Sequence, residues 1–145
     1  MSIRQTTPRE ANQLIEQGYR YIDVRTEREF AFGHPATAVN LPVLVPDPAT
    51  RQMALNPDFL PVVEAHFPKD SKIIVGCQAG GRSQRAAELL EQAGYTIVVN
   101  MQGGFAGARD QSGRTVVPGW SECGLPTCRD CGLDNSYAGL RSAVR

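Results

Sequence analysis

A cysteine, a pair of glycines and an arginine stand together where an apolar run gives way to a helix-like pattern. Residues 73–90 read IIVGCQAGGRSQRAAELL, with Cys77 directly after the apolar run. The glycines at 80 and 81 let the backbone curl so that several N–H groups can point at one spot. Arg82 and the positive end of the following helix favour an anion there. These features favour a thiolate, which makes Cys77 a candidate nucleophile.

The spacing of the cysteine and the arginine bears on the reaction. Cysteine phosphatases surround a phosphate with a C-x5-R loop, whereas four residues separate Cys77 from Arg82 here and Ser83 follows. A loop one residue shorter suits a single sulfur atom carried on the cysteine better than a phosphoryl group. The alternative for Cys77 is a structural role, as a small buried side chain at the end of a strand.

Alternating strands and helices must position this loop. Capping boxes at Thr7/Glu10 and Thr26/Glu29 predict the starts of two helices. The patterns predict strands at 21–24, 38–41, 72–76 and 96–99, and helices at 8–17, 26–32, 58–67 and 83–93. Prolines predict an irregular surface loop at 43–56. This alternation predicts an α/β fold with a mainly parallel central sheet flanked by helices on both faces.

Length and composition set the organisation and exclude some partners. A chain of 145 residues can form one domain with its own core. Its 15 basic and 15 acidic residues cancel, which argues against nucleic acid or an anionic membrane as a partner. Without a secretory signal or a stretch apolar enough to cross a bilayer, we expect a cytoplasmic protein. The domain is predicted over residues 1–126, with a cysteine-containing tail over 127–145.

Several short motifs in order resemble the single-domain rhodanese family of sulfurtransferases. The resemblance covers about residues 3–125 and is closest to the small thiosulfate sulfurtransferases. The motifs are CQAGGRS at 77–83, DVR at 23–25 with EF at 29–30 and GH at 33–34, NLP at 40–42, NPDF at 56–59 and GGF at 103–105. The resemblance implies a rhodanese-like domain whose active-site loop is 77–83.

The resemblance also implies sulfur transfer in two steps through a persulfide on Cys77. A donor such as thiosulfate gives its outer sulfur to Cys77, and a thiophilic acceptor such as cyanide, a small thiol or a protein dithiol then removes it. Loop amides would stabilise the charged sulfur, so the expected substrate-binding residues are Gln78, Ala79, Gly80, Gly81, Arg82 and Ser83. The expected partners are a small anionic donor and a thiol acceptor, for example a thioredoxin-like protein. No cofactor and no metal is required.

Asp23 and Arg25, at a neighbouring strand end, are candidate supporting residues. Arg25 is expected to pair with Glu29 or to contact an anionic donor, and a structural ion pair is the alternative. By the family resemblance His34 lies in a turn that braces the fold, and a stabilised thiolate requires no separate base. His66 is interpreted as an ordinary residue at a helix end.

Three further cysteines near the C-terminus, Cys123, Cys128 and Cys131, lie outside the rhodanese motifs. Cys128 and Cys131 form a CxxC candidate redox pair, which could accept the transferred sulfur or resolve the persulfide as a disulfide. A zinc site would need Asp130 or Asp134 to complete its ligands. Unreactive thiols are the third interpretation.

Two other functions stay open at this point. A cysteine-dependent phosphatase or arsenate reductase would use a similar loop, but the C-x4-R spacing disfavours it. A non-catalytic rhodanese-like module, which carries sulfur or binds a partner, would share the fold. An intact cysteine at position 77 favours an enzyme over such a module.

Overall fold

A five-stranded parallel sheet forms the centre of the molecule. The computed structural model describes residues 3–79, 81–129 and 135–142. In chain order the elements are β1 (Arg4–Thr6), α1 (Pro8–Glu16), β2 (Arg20–Asp23), α2 (Glu27–Phe32), β3 (His34–Pro35), β4 (Val39–Asn40), β5 (Leu44–Pro46), β6 (Met53–Leu55), α3 (Phe59–His66), β7 (Lys72–Gly76), α4 (Gly81–Gln92), β8 (Ile97–Met101), β9 (Ala108–Arg109), β10 (Thr115–Val117), β11 (Thr127–Cys128) and α5 (Tyr137–Ser142). The sheet order is β1-β8-β7-β2-β4, and each neighbouring pair is parallel. The predicted parallel sheet is confirmed.

The sequence signals at the helix starts act as predicted. The Thr7 and Thr26 hydroxyls accept from the backbone N–H groups of Glu10 and Glu29, whose carboxylates accept from the cap residues in return. Each box satisfies two donors that a helix start leaves unpaired. Within the described part of the chain, no helix is long and apolar enough to cross a membrane.

Successive strand residues contact two separate hydrophobic cores. In β7, Ile73 and Val75 belong to one core and Ile74 to the other. The first core packs α3, α4 and α5 against one face of the sheet, and the second packs α1 and α2 against the opposite face. Helices therefore cover both faces, which explains why β7 is a continuous apolar run and not an alternating one.

Parallel pairing brings the candidate functional residues to one edge of the sheet. In register, Asp23 of β2 lies beside Gly76 of β7, and Val75 lies beside Asn100 of β8. The segments that follow these three strands therefore begin at the same edge. This is the edge where open α/β sheets bind ligands.

The segment predicted as an irregular loop, residues 43–56, contains a β-hairpin, so that prediction is wrong in part. β5 and β6 pair antiparallel, with Leu44 opposite Leu55 and Pro46 opposite Met53. Pro46 occupies the end of a two-stranded ribbon, where a missing N–H is tolerated. The edge strand β1, the short strands β3 and β9 to β11 and the helix α5 are additions to the predicted elements.

The described part of the predicted tail contacts the domain. Thr127 and Cys128 of β11 pair antiparallel with Pro35 and His34 of β3. In α5, Tyr137 and Leu140 are buried in the core that α3 and α4 share. The boundary between residues 126 and 127 stays a prediction, but the residues beyond it supply part of the core.

Candidate active site

Cys77 follows β7 directly and is held by the turn after β8. The backbone N–H groups of Phe105 and Ala106 donate to the carbonyls of Cys77 and Gln78 at 2.7 and 3.0 Å. Gly104, at φ 58°, lies so close to both carbonyls that a Cβ there would collide with them. The turn therefore fixes the backbone that carries the sulfur, and the Cys77 side chain is only 2% exposed.

The first turn of α4 supplies a contact to the sulfur. The helix begins at Gly81, two residues before the predicted start at Ser83. The fully buried Ser83 hydroxyl lies 3.4 Å from Cys77 Sγ and 2.6 Å from Asn100 Oδ1. Gln78 and Ala79 lie in the loop between Cys77 and this helix, and Gly80 lies outside the described residues. The predicted ring of amides from 78 to 83 stays a prediction.

Arg25 pairs with Asp23 and not with Glu29, and its contact with an anionic donor stays a prediction. Its guanidinium donates to both Asp23 carboxylate oxygens, to the Gly33 carbonyl at 2.6 Å and to the Gln78 side-chain oxygen at 2.9 Å. Arg25 and Asp23 are both buried. The pair therefore ties the active-site loop to the end of β2 through Gln78.

Glu29 instead binds Arg82, the arginine of the loop motif. Both guanidinium nitrogens of Arg82 reach the carboxylate, at 2.7 and 2.9 Å, in a bidentate pair. The hydrogen bond from Arg82 is the largest cause that lowers the pKa of Glu29 to about 2, against the opposing effect of burial. The same bond raises the pKa of Arg82. Arg82 therefore anchors the start of α4 to α2 and keeps a positive charge beside the loop.

Tyr21 lies beneath the junction of β7 and the loop. A Cβ on Gly76 would overlap the Tyr21 hydroxyl, so only glycine fits above the ring. Burial raises the pKa of Tyr21 well above its ordinary value; the Asp23 carboxylate raises it further and Arg25 opposes this. The phenol therefore stays neutral and adds no charge beside Cys77.

Both histidines have structural surroundings. His34 is buried, with Nδ1 2.8 Å from the Phe30 carbonyl and its ring stacked on the Phe30 ring. Burial lowers the pKa of His34, so the ring is neutral near pH 7. His66 ends α3, and its Nε2 lies 2.8 Å from the Leu140 carbonyl. These contacts agree with a bracing role for His34 and a helix-end role for His66.

The C-terminal cysteines divide into described and undescribed residues. Cys123 is a half-buried thiol, and Cys128 is disulfide-bonded. Cys131, Asp130 and Asp134 lie outside the described residues. Over 3–79, 81–129 and 135–142, no three His, Cys, Asp or Glu side chains are arranged to hold a metal ion. The redox, zinc and inert interpretations of the tail all stay predictions.

An open cleft of about 470 Å³ adjoins the active-site loop. Ala79 of the loop and Gly103 form part of its wall, together with the side-chain amides of Gln5, Gln84 and Asn100. Its described lining also includes Val116 and Val117 and carries no charged side chain. The cleft beside the loop is therefore lined by uncharged residues, both polar and apolar.

Sequence reasoning missed three residues that build this site. Asn100 could have been found from the sequence, because a polar residue inside the apolar strand IVVNM indicates a specific hydrogen-bonding role. Gly104 belonged to a quoted motif, but its contact with the Cys77 backbone requires β8 to lie beside β7. Tyr21 was assigned to a strand, and its position under Gly76 follows from the register of β2 and β7.

Comparison with known proteins identifies relatives of the whole fold. The family model described as "Rhodanese-like domain" matches residues 7–111. The crystal structure of Rv0390 from M. tuberculosis superposes with a TM-score of 0.73 at 28% identity, covering 89% of this chain and 99% of that one.

Two curated relatives carry names that describe an activity. The chain is 41% identical over 117 residues to thiosulfate sulfurtransferase 16, chloroplastic, of Arabidopsis thaliana, covering 81% of this chain and 86% of the relative. It is 36% identical over 108 residues to thiosulfate sulfurtransferase GlpE of Haemophilus influenzae (strain PittEE), covering 74% and 89%. Matches to some other plant relatives span only about half of those proteins.

Proposed function

This chain belongs to the rhodanese-like domain family, and on that premise we propose that it is a sulfurtransferase whose persulfide forms on Cys77. The observation that carries the proposal is the position of Cys77, between the end of a central strand and the start of α4, in a chain about 40% identical to a thiosulfate sulfurtransferase. The thiosulfate sulfurtransferase activity named for the two relatives is the activity proposed here.

The reaction proceeds in two displacement steps at sulfur. The Cys77 thiolate attacks the outer sulfur of thiosulfate, the S–S bond of the donor breaks, and sulfite leaves with the bonding electron pair. In the second step a nucleophilic acceptor, such as cyanide or a thiolate, attacks the terminal sulfur and Cys77 leaves as a thiolate. No cofactor takes part in either step.

The described contacts support this role for the loop. Ser83 supplies a hydroxyl 3.4 Å from the sulfur, and Arg82 supplies positive charge at the start of α4. We propose that the backbone amides of the loop complete the binding of the charged sulfur. Asp23 and Arg25 act as positioning residues, because Arg25 holds the Gln78 side chain and Asp23 holds Arg25, and neither is recorded in contact with the sulfur itself.

We also propose the class of partners and the location. The donor is a small anion and the acceptor a thiol, of which a thioredoxin-like protein is one example. Nucleic acid and membranes are not among the proposed partners, because the formal net charge is zero. The cytoplasmic location stays a prediction, and one of the relatives is named as chloroplastic.

The direct test is intact-mass measurement after incubation with thiosulfate. We expect a gain of one sulfur atom, located on Cys77 by peptide mapping. Cys77→Ser should abolish both the mass gain and thiocyanate formation from cyanide, while circular dichroism stays unchanged because one atom is replaced. Parental activity in Cys77→Ser would mean that another cysteine is the nucleophile. Hydrolysis of para-nitrophenyl phosphate without sulfur transfer would favour a phosphatase.

The CxxC residues of the tail are proposed as an internal acceptor. A dithiol at Cys128 and Cys131 could take sulfur from the persulfide, and this requires the disulfide at Cys128 to be reduced first. Cys128→Ser/Cys131→Ser should slow turnover with weak external acceptors and leave the first sulfur transfer unchanged. Cys123→Ser is the matched control. Unchanged turnover with every acceptor, in the presence of reductant, would contradict the proposal.

A further inference from the structure

Hydrogen-bonded side chains connect the sulfur of Cys77 with the surface of the cleft. The Ser83 hydroxyl lies 3.4 Å from Cys77 Sγ and 2.6 Å from Asn100 Oδ1. Asn100 Nδ2 donates to the side-chain oxygens of Gln5 and Gln84 at 2.9 and 3.1 Å. We name Ser83, Asn100, Gln5 and Gln84 the amide relay. Its inner members, Ser83 and Asn100, are buried, whereas Gln84 is half-buried and Gln5 exposed.

The outer contacts determine which way each amide of the relay points. The Glu88 carboxylate can only accept, so the Gln84 amide nitrogen faces it, at 3.3 Å, and the Gln84 oxygen faces inward. The Ile3 carbonyl can also only accept, and the Gln5 nitrogen lies 3.4 Å from it and 2.7 Å from the Gln84 oxygen. Both glutamines therefore present oxygen to Asn100.

This orientation propagates to the serine. The two protons of Asn100 Nδ2 point to the two glutamine oxygens, so Oδ1 must face Ser83 as an acceptor. A hydroxyl has one proton, and Asn100 Oδ1, at 2.6 Å, is a closer acceptor than the sulfur at 3.4 Å. With its proton directed to Asn100, Ser83 presents a lone pair to Cys77 Sγ. A lone pair accepts from a thiol S–H and disfavours a thiolate.

We propose that Asn100 is a positioning residue that acts through Ser83 to control the proton on Cys77. Thiolate formation releases the proton to solvent and requires the Ser83 O–H to turn from Asn100 Oδ1 to the sulfur, so it breaks one hydrogen bond as it makes another. Contacts made to Gln5 and Gln84 in the cleft should therefore affect whether Cys77 carries its proton. The inference rests on the proposed function only in taking Cys77 to be the reactive thiol.

The charged and titratable side chains around the sulfur must be distinguished from the relay. Those that act on it electrostatically are Tyr21 from β2 and Arg82 from α4, with the Asp23–Arg25 pair and Glu29 behind them. The test variants leave all of these unchanged. A change in the protonation of Cys77 in those variants is therefore assigned to the relay.

The test is a pH titration of the thiolate absorbance of Cys77, taken as the difference between each protein and its Cys77→Ser counterpart. Asn100→Leu removes the closer of the two described acceptors, so the Ser83 proton becomes available to the sulfur. We expect the thiolate midpoint to move down by about one pH unit, a tenfold change, as a hydrogen bond to a charged group can supply. In a Ser83→Ala background, Asn100→Leu should cause no shift.

Two further variants keep the proposal testable if the buried substitution unfolds the protein. Gln5→Met/Gln84→Met removes both outer acceptors from accessible positions and lets the Asn100 amide turn, so its nitrogen can donate to Ser83. The midpoint should again move down. Thr6→Val is the matched control on β1, because Thr6 is buried and its hydroxyl has no hydrogen-bond partner within the described residues. We expect its midpoint to be that of the parent.

An unchanged or raised midpoint in folded Asn100→Leu, or in Gln5→Met/Gln84→Met, would overturn the inference. So would the same downward shift in the Ser83→Ala background. Thiosulfate loading, measured by mass on the same samples, separates this result from the proposed function. A shifted midpoint without sulfur loading would leave the relay standing and contradict sulfur transfer, and sulfur loading without a shift would do the reverse.

Discussion

The arginine of the active-site loop, Arg82, binds a carboxylate on another helix. Arg82 binds Glu29 at 2.7 and 2.9 Å, and Glu29 also caps α2 by accepting from Thr26. One side chain therefore fixes two helix starts. Because both partners are partly shielded from solvent and the pair is bidentate, it should contribute more than an ordinary surface ion pair.

Glu29→Gln tests this pair without removing the helix cap, since glutamine also serves in a capping box. We expect a loss of about 1 kcal/mol in the free energy of unfolding at pH 7, measured by urea titration. Sulfur transfer should also fall, because the start of α4 loosens. Glu27→Gln, an exposed change on the same helix, should alter neither quantity.

Because of the same pair, the free energy of unfolding of the parent protein should decrease at acid pH. The pKa of Glu29 falls from 4.5 to about 2, so the unfolded chain binds more protons between these values. The stabilisation is complete above about pH 4.5 and is lost as the pH falls through about 2. Urea midpoints over this window should fall less steeply in Glu29→Gln than in the parent. Parallel curves would contradict the pairing.

At the scale of elements, the turn after β8 holds the loop after β7. Two backbone hydrogen bonds from Phe105 and Ala106 reach the Cys77 and Gln78 carbonyls. Gly104 allows the approach because it lacks a Cβ and adopts a positive φ. The nucleophile is therefore supported by a segment that is distant along the chain and adjacent in the sheet.

Gly104→Ala should disrupt that support. The new methyl would collide with backbone carbonyls, which cannot rotate away, and the positive φ adds strain, so we expect a loss of about 3 kcal/mol or more. Persulfide formation should fall with it. Gly124→Ala is the control, since Gly124 has φ 70° and open space around the added atom. Its cost should be about 1 kcal/mol. Equal losses of stability in both variants would show that strain alone matters.

At the scale of the whole molecule, the C-terminal segment completes the first core. Leu140 of α5 is 8% exposed in contact with that core, and Tyr137 accepts a hydrogen bond from Asn56 at 3.0 Å. The short strand β11 pairs with β3. β3 begins directly after Gly33, whose carbonyl accepts a hydrogen bond from Arg25. The segment predicted as an appended tail thus adds to the stability of the domain.

Leu140→Ala should lower the free energy of unfolding by about 2 kcal/mol, because a buried leucine is replaced by a cavity. Urea unfolding gives the value. Arg141→Ala is the matched control on the same helix, since its ion pair with Asp58 is exposed and contributes little. If Leu140→Ala were as stable as Arg141→Ala, α5 would not be part of the folded domain in solution.

Local patterns in the sequence were sufficient for the helices α1 to α4, the strands β2, β4, β7 and β8 and the loop that carries Cys77, but not for β1 or α5. Thr7, Thr26 and the glycines that end α1 and α4 act through neighbours a few residues away, so their effect is readable without a fold. The hairpin at 44–55 was missed because its prolines mask a pairing that only antiparallel contact reveals.

What the amino-acid sequence alone determined was the type of the elements around the active-site loop, α1 to α4 with β2, β4, β7 and β8, and the identity of the candidate nucleophile. The tertiary structure decided the partners: Glu29 for Arg82, Asp23 for Arg25, and Asn100 for Ser83. Apart from Asp23 and Arg25, these pairs join residues far apart in the chain. Which polar groups meet around the active-site loop depends on the order and register of the strands. Order and register in turn follow from how the two cores pack as a whole.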